Sequence, residues 1–189
     1  MHHPLIRTGL ATLLLAAVVG TASATPRDDV MKATSRLASA TSYVIHIDNP
    51  QAGEAGQMEL QHVAPDRYRM VIPGGPTQTI IGNQVHMEIA GRTMRVPLPA
   101  GTLDQMQDQA RIRETQENAS IELLGSDMLD GEQATKYRIV HADQPDTDAV
   151  LWVGSNGWPL QMRVDTGEGP ATMRYSRFND PTLVISAPD

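Results

Sequence analysis

The feature that most constrains this chain is a two-residue alternation of side chains that recurs from residue 42 almost to the C-terminus. Tyr43, Ile45 and Ile47 fall on one side of the first segment, and the same pattern returns after each Gly- or Pro-rich turn. Successive side chains of a strand point to opposite faces, so each segment is predicted to be a strand with one apolar face. The turns are too short for crossover helices, which predicts antiparallel pairing throughout.

We expect about 10–11 strands in one continuous sheet. A short apolar run, Leu183 to Ile185, is predicted to be the last of them. A sheet with so many strands must curl. The other segments that carry the prediction are Met58/Leu60, Tyr68/Met70, Val85/Met87, Met94/Val96, Ile121–Leu124, Ala134–His141, Ala149–Val153, Leu160/Met162 and Met173/Tyr175.

Two helices are predicted beside this sheet, so the fold class is mainly β with two helices. Thr25 can cap a helix of about four turns with Pro26 at its first position. The second predicted helix spans residues 102 to 118, where Leu103, Met106 and Ala110 form a thin apolar stripe. It is either a loose lid over the sheet or a surface helix that links two sets of hairpins.

The first 24 residues are typical of a secretion signal. Arg7 precedes an apolar run from Leu10 to Val19, and Ala22-Ser23-Ala24 is a small-residue cleavage pattern. The run is about ten residues long, whereas crossing a bilayer takes about 20. We therefore expect a signal peptide over 1–24, cleavage after Ala24, and one periplasmic domain over 25–189.

Composition excludes several classes of protein. The chain has 15 Lys and Arg against 22 Asp and Glu, a net charge of −7, which argues against a nucleic-acid partner. It has no Cys, so disulfides and thiolate sites are excluded. The usual nucleophile, metal and phosphate-loop motifs are missing, and His46, His62, His86 and His141 lie on separate segments. We expect no catalysis, no cofactor and no metal, and we expect these histidines to be solvated.

The apolar face of the predicted sheet is rich in Met. Of the nine Met after Met1, six share the inward register, while Phe occurs once in the chain. Met is flexible and suits a surface that must fit varied apolar shapes, although it also fills irregular cores. An acyl chain of about 14 carbons would gain roughly 11 kcal/mol gross on burial there. The predicted lipid contacts are Tyr43, Ile45, Met58, Leu60, Tyr68, Met70, Val85, Met87, Leu160 and Met162.

Several short stretches, taken in order, resemble the LolA-like periplasmic lipoprotein carriers and their relatives among lipoprotein-sorting and mycobacterial lipid-binding proteins. They include Pro65-Asp66-Arg67-Tyr68-Arg69, Asn156-Gly157-Trp158-Pro159-Leu160 and Tyr175-Ser176-Arg177-Phe178. The resemblance implies an incomplete β-barrel covered by helices, which carries acyl chains between membrane partners without catalysis.

The leading hypothesis is therefore a monomeric periplasmic carrier or chaperone. It would hold acyl chains of lipoproteins or lipids against the concave apolar face and exchange them with membrane-bound donor and acceptor proteins. The alternative is a non-enzymatic regulatory or scaffold module that uses the same fold to bind a protein segment such as an amphipathic helix.

Overall fold

The computed structural model describes residues 25–89, 91–103, 118–142, 144–166 and 169–188. Helix α1 spans Pro26–Ala38, as its N-terminal signals predict. The Thr25 hydroxyl accepts a hydrogen bond from the backbone N–H of Asp28, whose carboxylate accepts one from the backbone N–H of Thr25. This capping box satisfies two donors that a helix start otherwise leaves unpaired, and it fixes where the helix begins.

Eleven strands follow in the described residues, and a short 3₁₀ segment, Pro50–Gly56, connects the first two. Their bounds are β1 Ser42–Asp48, β2 Gln57–Val63, β3 Arg67–Val71, β4 Thr77–Ile81, β5 Gln84–Ile89, β6 Arg92–Pro97, β7 Ala119–Leu129, β8 Glu132–His141, β9 Gln144–Gly154, β10 Pro159–Thr166 and β11 Gly169–Ser176.

All eleven strands form one antiparallel sheet in the order β6-β5-β4-β3-β2-β1-β11-β10-β9-β8-β7. The chain runs outward from β1 to the edge at β6, and then returns from the opposite edge at β7 to place β11 beside β1. Hairpins make every contact except that of β1 with β11. No pairing joins β6 to β7 in the described residues, so the sheet is not closed into a barrel. The prediction of one continuous antiparallel sheet of 10–11 strands is confirmed.

The two faces of the sheet are covered by different parts of the chain. We call the face that α1 packs against the helix face, since Val30 and Ala33 of α1 are buried there against Tyr137, Ile139 and Leu151. The opposite face, which carries the residues in register with Val44, is the tail face. The C-terminal residues 177–188 pack against it.

Contacts from two strands hold the C-terminal residues on the tail face. The guanidinium of Arg67 donates to the carbonyl of Ile185 at 2.8 Å, and the Ser42 hydroxyl donates to the carbonyl of Asp180 at 3.2 Å. Leu183 and Ile185 are buried. The predicted strand over Leu183 to Ile185 is therefore wrong: this run is apolar because its side chains pack onto the sheet, and it forms no strand.

The described residues contain one α-helix, where the sequence predicted two. The second prediction, over 102–118, falls mostly outside the described residues. No helix in the described ranges is both long enough and apolar enough to cross a membrane.

Candidate functional site

Strand pairing brings most of the predicted lipid contacts onto one surface. Ile45 lies opposite Leu60, which lies opposite Met70, and Val85 and Met87 follow on β5 in the same register. We call the uncharged helix-face side chains of β1–β6 the apolar patch. Eight of the ten predicted residues belong to it: Tyr43, Ile45, Met58, Leu60, Tyr68, Met70, Val85 and Met87.

Burial across the apolar patch falls from its centre toward the β6 edge. Tyr68 on β3 is buried, and Met70 and Met87 are half-buried. Nearer the edge, Met94 is 49% exposed and Val96 is 41% exposed. Exposed apolar groups that adjoin one another commonly mark a binding surface.

Met162 shares the helix face but lies in the other half of the sheet. It is on β10, opposite Met173 of β11, and it packs against the cluster beneath α1. The Tyr175 hydroxyl lies 3.8 Å from the sulfur of Met162 and 3.9 Å from that of Met173. This sulfur-lined tyrosine lies where the apolar patch meets the helix-covered half.

Leu160 is separated from the other nine predicted residues. Pro159 pairs with Val153 and Gln161 pairs with Trp152, so one extra residue stands in β10 at a β-bulge. At the bulge the alternation of faces shifts by one residue, so the Leu160 side chain lies on the tail face. There it lines a cavity of about 290 Å³. The rest of that lining comprises His46, Leu129, Asp130, Glu132, Arg174, Tyr175 and Ser176.

His62 sits at the centre of the apolar patch, between two tyrosine rings. Its ring centroid lies 4.7 Å from that of Tyr43 and 4.7 Å from that of Tyr68. Burial lowers the pKa of His62, and its Nδ1 is buried with no hydrogen-bond partner among the described residues. Burial also raises the pKa of Tyr43 to about 12. The centre of the patch is therefore uncharged at neutral pH.

The prediction that the histidines are solvated is wrong for two of them. His62 is 7% exposed on the helix face, and His86 is 5% exposed on the tail face. Imidazole is small and aromatic enough to pack in a sheet, which polar alternation alone does not reveal. His46 is exposed, with its Nδ1 at 3.4 Å from a carboxylate oxygen of Glu59.

The apolar patch includes residues that the predicted contact set omits. His62 and Ile80 lie in the same register as Tyr68, and Gln78 lies in register with Met87. His62 continues the alternation of Met58 and Leu60 by one step, so that signal was available. Ile80 was not visible in this way, because β4 reads Thr-Gln-Thr-Ile-Ile without alternation.

Little ionic chemistry is available on the apolar patch. In the described ranges, no group of three His, Asp or Glu is arranged to hold a metal ion. The carboxylate of Asp127, away from the patch on the tail face, accepts a hydrogen bond from the Trp152 indole at 3.0 Å and lies 3.4 Å from the Lys136 ammonium. These contacts lower the pKa of Asp127 and fix its carboxylate on the surface of the sheet.

No protein-family model matches the chain, and no curated protein matches it by sequence. Solved structures do match. The lipoprotein LppX of Mycobacterium tuberculosis is 12% identical with a TM-score of 0.63, covering 85% of this chain and 98% of that one. LprF from Mycobacterium bovis is 11% identical with a TM-score of 0.64, covering 85% of this chain and 96% of that one.

This chain shares the fold of LppX and LprF. The resemblance drawn from the ordered sequence motifs is therefore confirmed at the level of the fold. A LolA superfamily protein from Nitrosomonas europaea also matches over 81% of this chain and 95% of that one, at 13% identity and a TM-score of 0.28. At 11–12% identity the likeness to LppX and LprF establishes the fold alone.

Proposed function

We propose that the protein is an exported carrier that binds acyl chains of lipids or lipoproteins on the apolar patch and passes them between membrane partners. The observation that carries the proposal is the set of apolar side chains on the helix face of β1–β6, interrupted near its centre by His62 and Gln78. It brings Met58, Met70 and Met87 together on a face where they stay half-buried.

The side-chain chemistry of the patch supports a flexible apolar ligand. Met side chains are unbranched and polarizable, so they adapt to a chain that bends. The polar groups in the middle of the patch are the uncharged His62 and Tyr43, which impose no charge on the ligand. Affinity would come from buried methylene groups at about 0.8 kcal/mol each, less the cost of ordering the chain.

The fold supports the same proposal through the placement of α1. This helix packs over β7–β9, where Val30 and Ala33 are buried against Tyr137, Ile139 and Leu151. The apolar patch lies beyond that cluster. A bound acyl chain would thus cover the apolar side chains of β1–β6, as α1 covers those of β7–β9.

The test is the lipid content of freshly purified protein, measured by native mass spectrometry and by extraction. Met87→Glu places a carboxylate on the patch, and the cost of burying that charge under an acyl chain should abolish lipid binding. Gln84→Glu is the matched control, because it adds the same charge to the exposed, opposite face of the same strand.

We expect bound lipid in the wild type and in Gln84→Glu, and none in Met87→Glu, with all three proteins equally folded by circular dichroism. Lipid retained in Met87→Glu would contradict the proposal. Wild-type protein that is empty after purification, and that takes up no fatty acid from solution, would also contradict it. Tight binding of a specific polypeptide by such an empty protein would favour a scaffold module instead.

A further inference from the structure

The two open edges of the sheet differ in charge although both expose apolar side chains. At the β6 edge Ile89 is 49% exposed and Met94 is 49% exposed. At the β7 edge Leu123 is 52% exposed and Met128 is 63% exposed. The two edges therefore offer similar apolar exposure, and charge is what distinguishes them.

The β6 side of the sheet is basic within an acidic protein. From Arg67 to Pro97, the segment that contains β3–β6, the chain has four Arg and one Glu, a net charge of +3. The whole chain carries −7, so the remaining residues together carry −10. The segment that forms β3–β6 is thus opposite in sign to the rest of the chain.

The arginines at this edge are available to an outside partner. Arg92 and Arg95 lie on β6 and are exposed, and neither forms an ion pair with any residue in the described ranges. Arg92 lies opposite Ile89 on the helix face, whereas Arg95 follows Met94 and points to the tail face. Cations therefore flank the exposed apolar side chains on both faces of the edge.

The β7 edge has the opposite charge. Its exposed Leu123 follows Glu122, and Met128 lies between Asp127 and the hairpin residue Asp130. An anionic surface would be repelled there and attracted at β6. Cationic and apolar groups together match the interface of an anionic phospholipid bilayer, where each Arg near the surface contributes about 1 kcal/mol and apolar side chains enter the acyl boundary.

We propose that the β5–β6 edge docks on anionic phospholipid membranes, with Met94 and Val96 in the acyl boundary and Arg92 and Arg95 on lipid phosphates. The inference rests on the proposed carrier function, since docking at this edge brings the apolar patch next to the bilayer that supplies or receives the acyl chain. Shallow insertion is sufficient, because Met94 and Val96 are already at the surface.

The test is co-sedimentation with vesicles of phosphatidylcholine alone and of phosphatidylcholine mixed with phosphatidylglycerol. We expect binding to the mixed vesicles only. The double substitution Arg92→Gln/Arg95→Gln should weaken it by about 30-fold. Met94→Ser should weaken it several-fold, while Met128→Ser, which removes a more exposed Met from the acidic edge, should leave it unchanged.

Lipid content of the same purified variants separates this inference from the carrier function. Arg92→Gln/Arg95→Gln should retain bound acyl chains while losing vesicle binding. Undiminished vesicle binding by this variant, or equal binding to uncharged vesicles, would overturn the docking proposal and leave the carrier function standing. A dimer in sedimentation velocity that Met94→Ser dissociates would assign the edge to self-association and would also overturn it.

Discussion

The two halves of the sheet share one alternation of side chains but use their helix faces differently. On β7–β9 the face is closed by α1: Val30 is 0% exposed and Leu151 is 3% exposed. On β1–β6 equivalent positions such as Met70 and Met87 stay half-buried. The difference shows that one pattern can encode either a closed core or a half-exposed apolar surface, depending on what the rest of the chain packs against it.

The largest expected difference between the halves is in the free energy of unfolding. Leu151→Ala should cost about 2–5 kcal/mol, because it leaves a cavity beneath α1. Met87→Ala removes a side chain of similar size from a half-exposed site, and should cost less than about 1 kcal/mol in lipid-free protein. Urea unfolding of both variants measures this. Equal costs would mean that the two halves are packed alike.

The next effect concerns the pH dependence of stability. Because burial lowers the pKa of His62 below its ordinary value of 6.5, the unfolded chain takes up a proton there before the folded chain does. The contribution of neutral His62 to the free energy of unfolding is therefore complete above about pH 7. It is lost as the pH falls, and the free energy of unfolding then decreases by at most about 1.4 kcal/mol per pH unit.

Replacing His62 isolates this effect. His62→Gln should flatten the fall in unfolding free energy between about pH 7 and pH 5. Unfolding in urea at several pH values is the measurement. A slope that is identical in wild type and His62→Gln would show that His62 titrates as freely in the folded protein as in the unfolded chain.

The smallest expected effect is at the end of α1. The guanidinium of Arg36 lies 4.3 Å from the centre of the Trp158 ring and donates to the carbonyl of Asn156, which ties the helix to the β9–β10 turn. Arg36→Ala should cost about 1 kcal/mol. Arg92→Ala, on the other half of the sheet, is the control and should hardly change the free energy of unfolding. An equal loss in both variants would show that the anchoring of α1 does not explain the effect of Arg36→Ala.

Sequence patterns predicted most of this arrangement, and their failures have physical causes. Alternation placed eight predicted contacts on the apolar patch because the side-chain period of a strand is two. It misplaced Leu160 because a one-residue bulge shifts the register of β10. Pro159, a residue type that strands accept at their start or at a bulge, directly precedes Leu160, but the alternation alone does not use that signal. The sequence predicts a strand over Leu183 to Ile185 because an apolar run that forms a strand and one that packs as an irregular segment have the same composition.

The net charge of the chain hides an uneven distribution of charge along the sequence. The net charge of −7 correctly described the whole chain but concealed the basic segment from Arg67 to Pro97. Only the strand order shows that this segment ends at a free edge beside the apolar patch. Buried His62 and His86 were missed for a related reason, since burial depends on which strands become neighbours.

The most direct test of the account is photo-crosslinking with a fatty acid that carries a diazirine near its chain end, followed by peptide mass spectrometry. Adducts are predicted on helix-face residues of β2, β3 and β5, with Met58, Met70 and Met87 foremost. Adducts confined to β7–β9 or to the tail face would contradict the claim that β1–β6 holds the acyl chain.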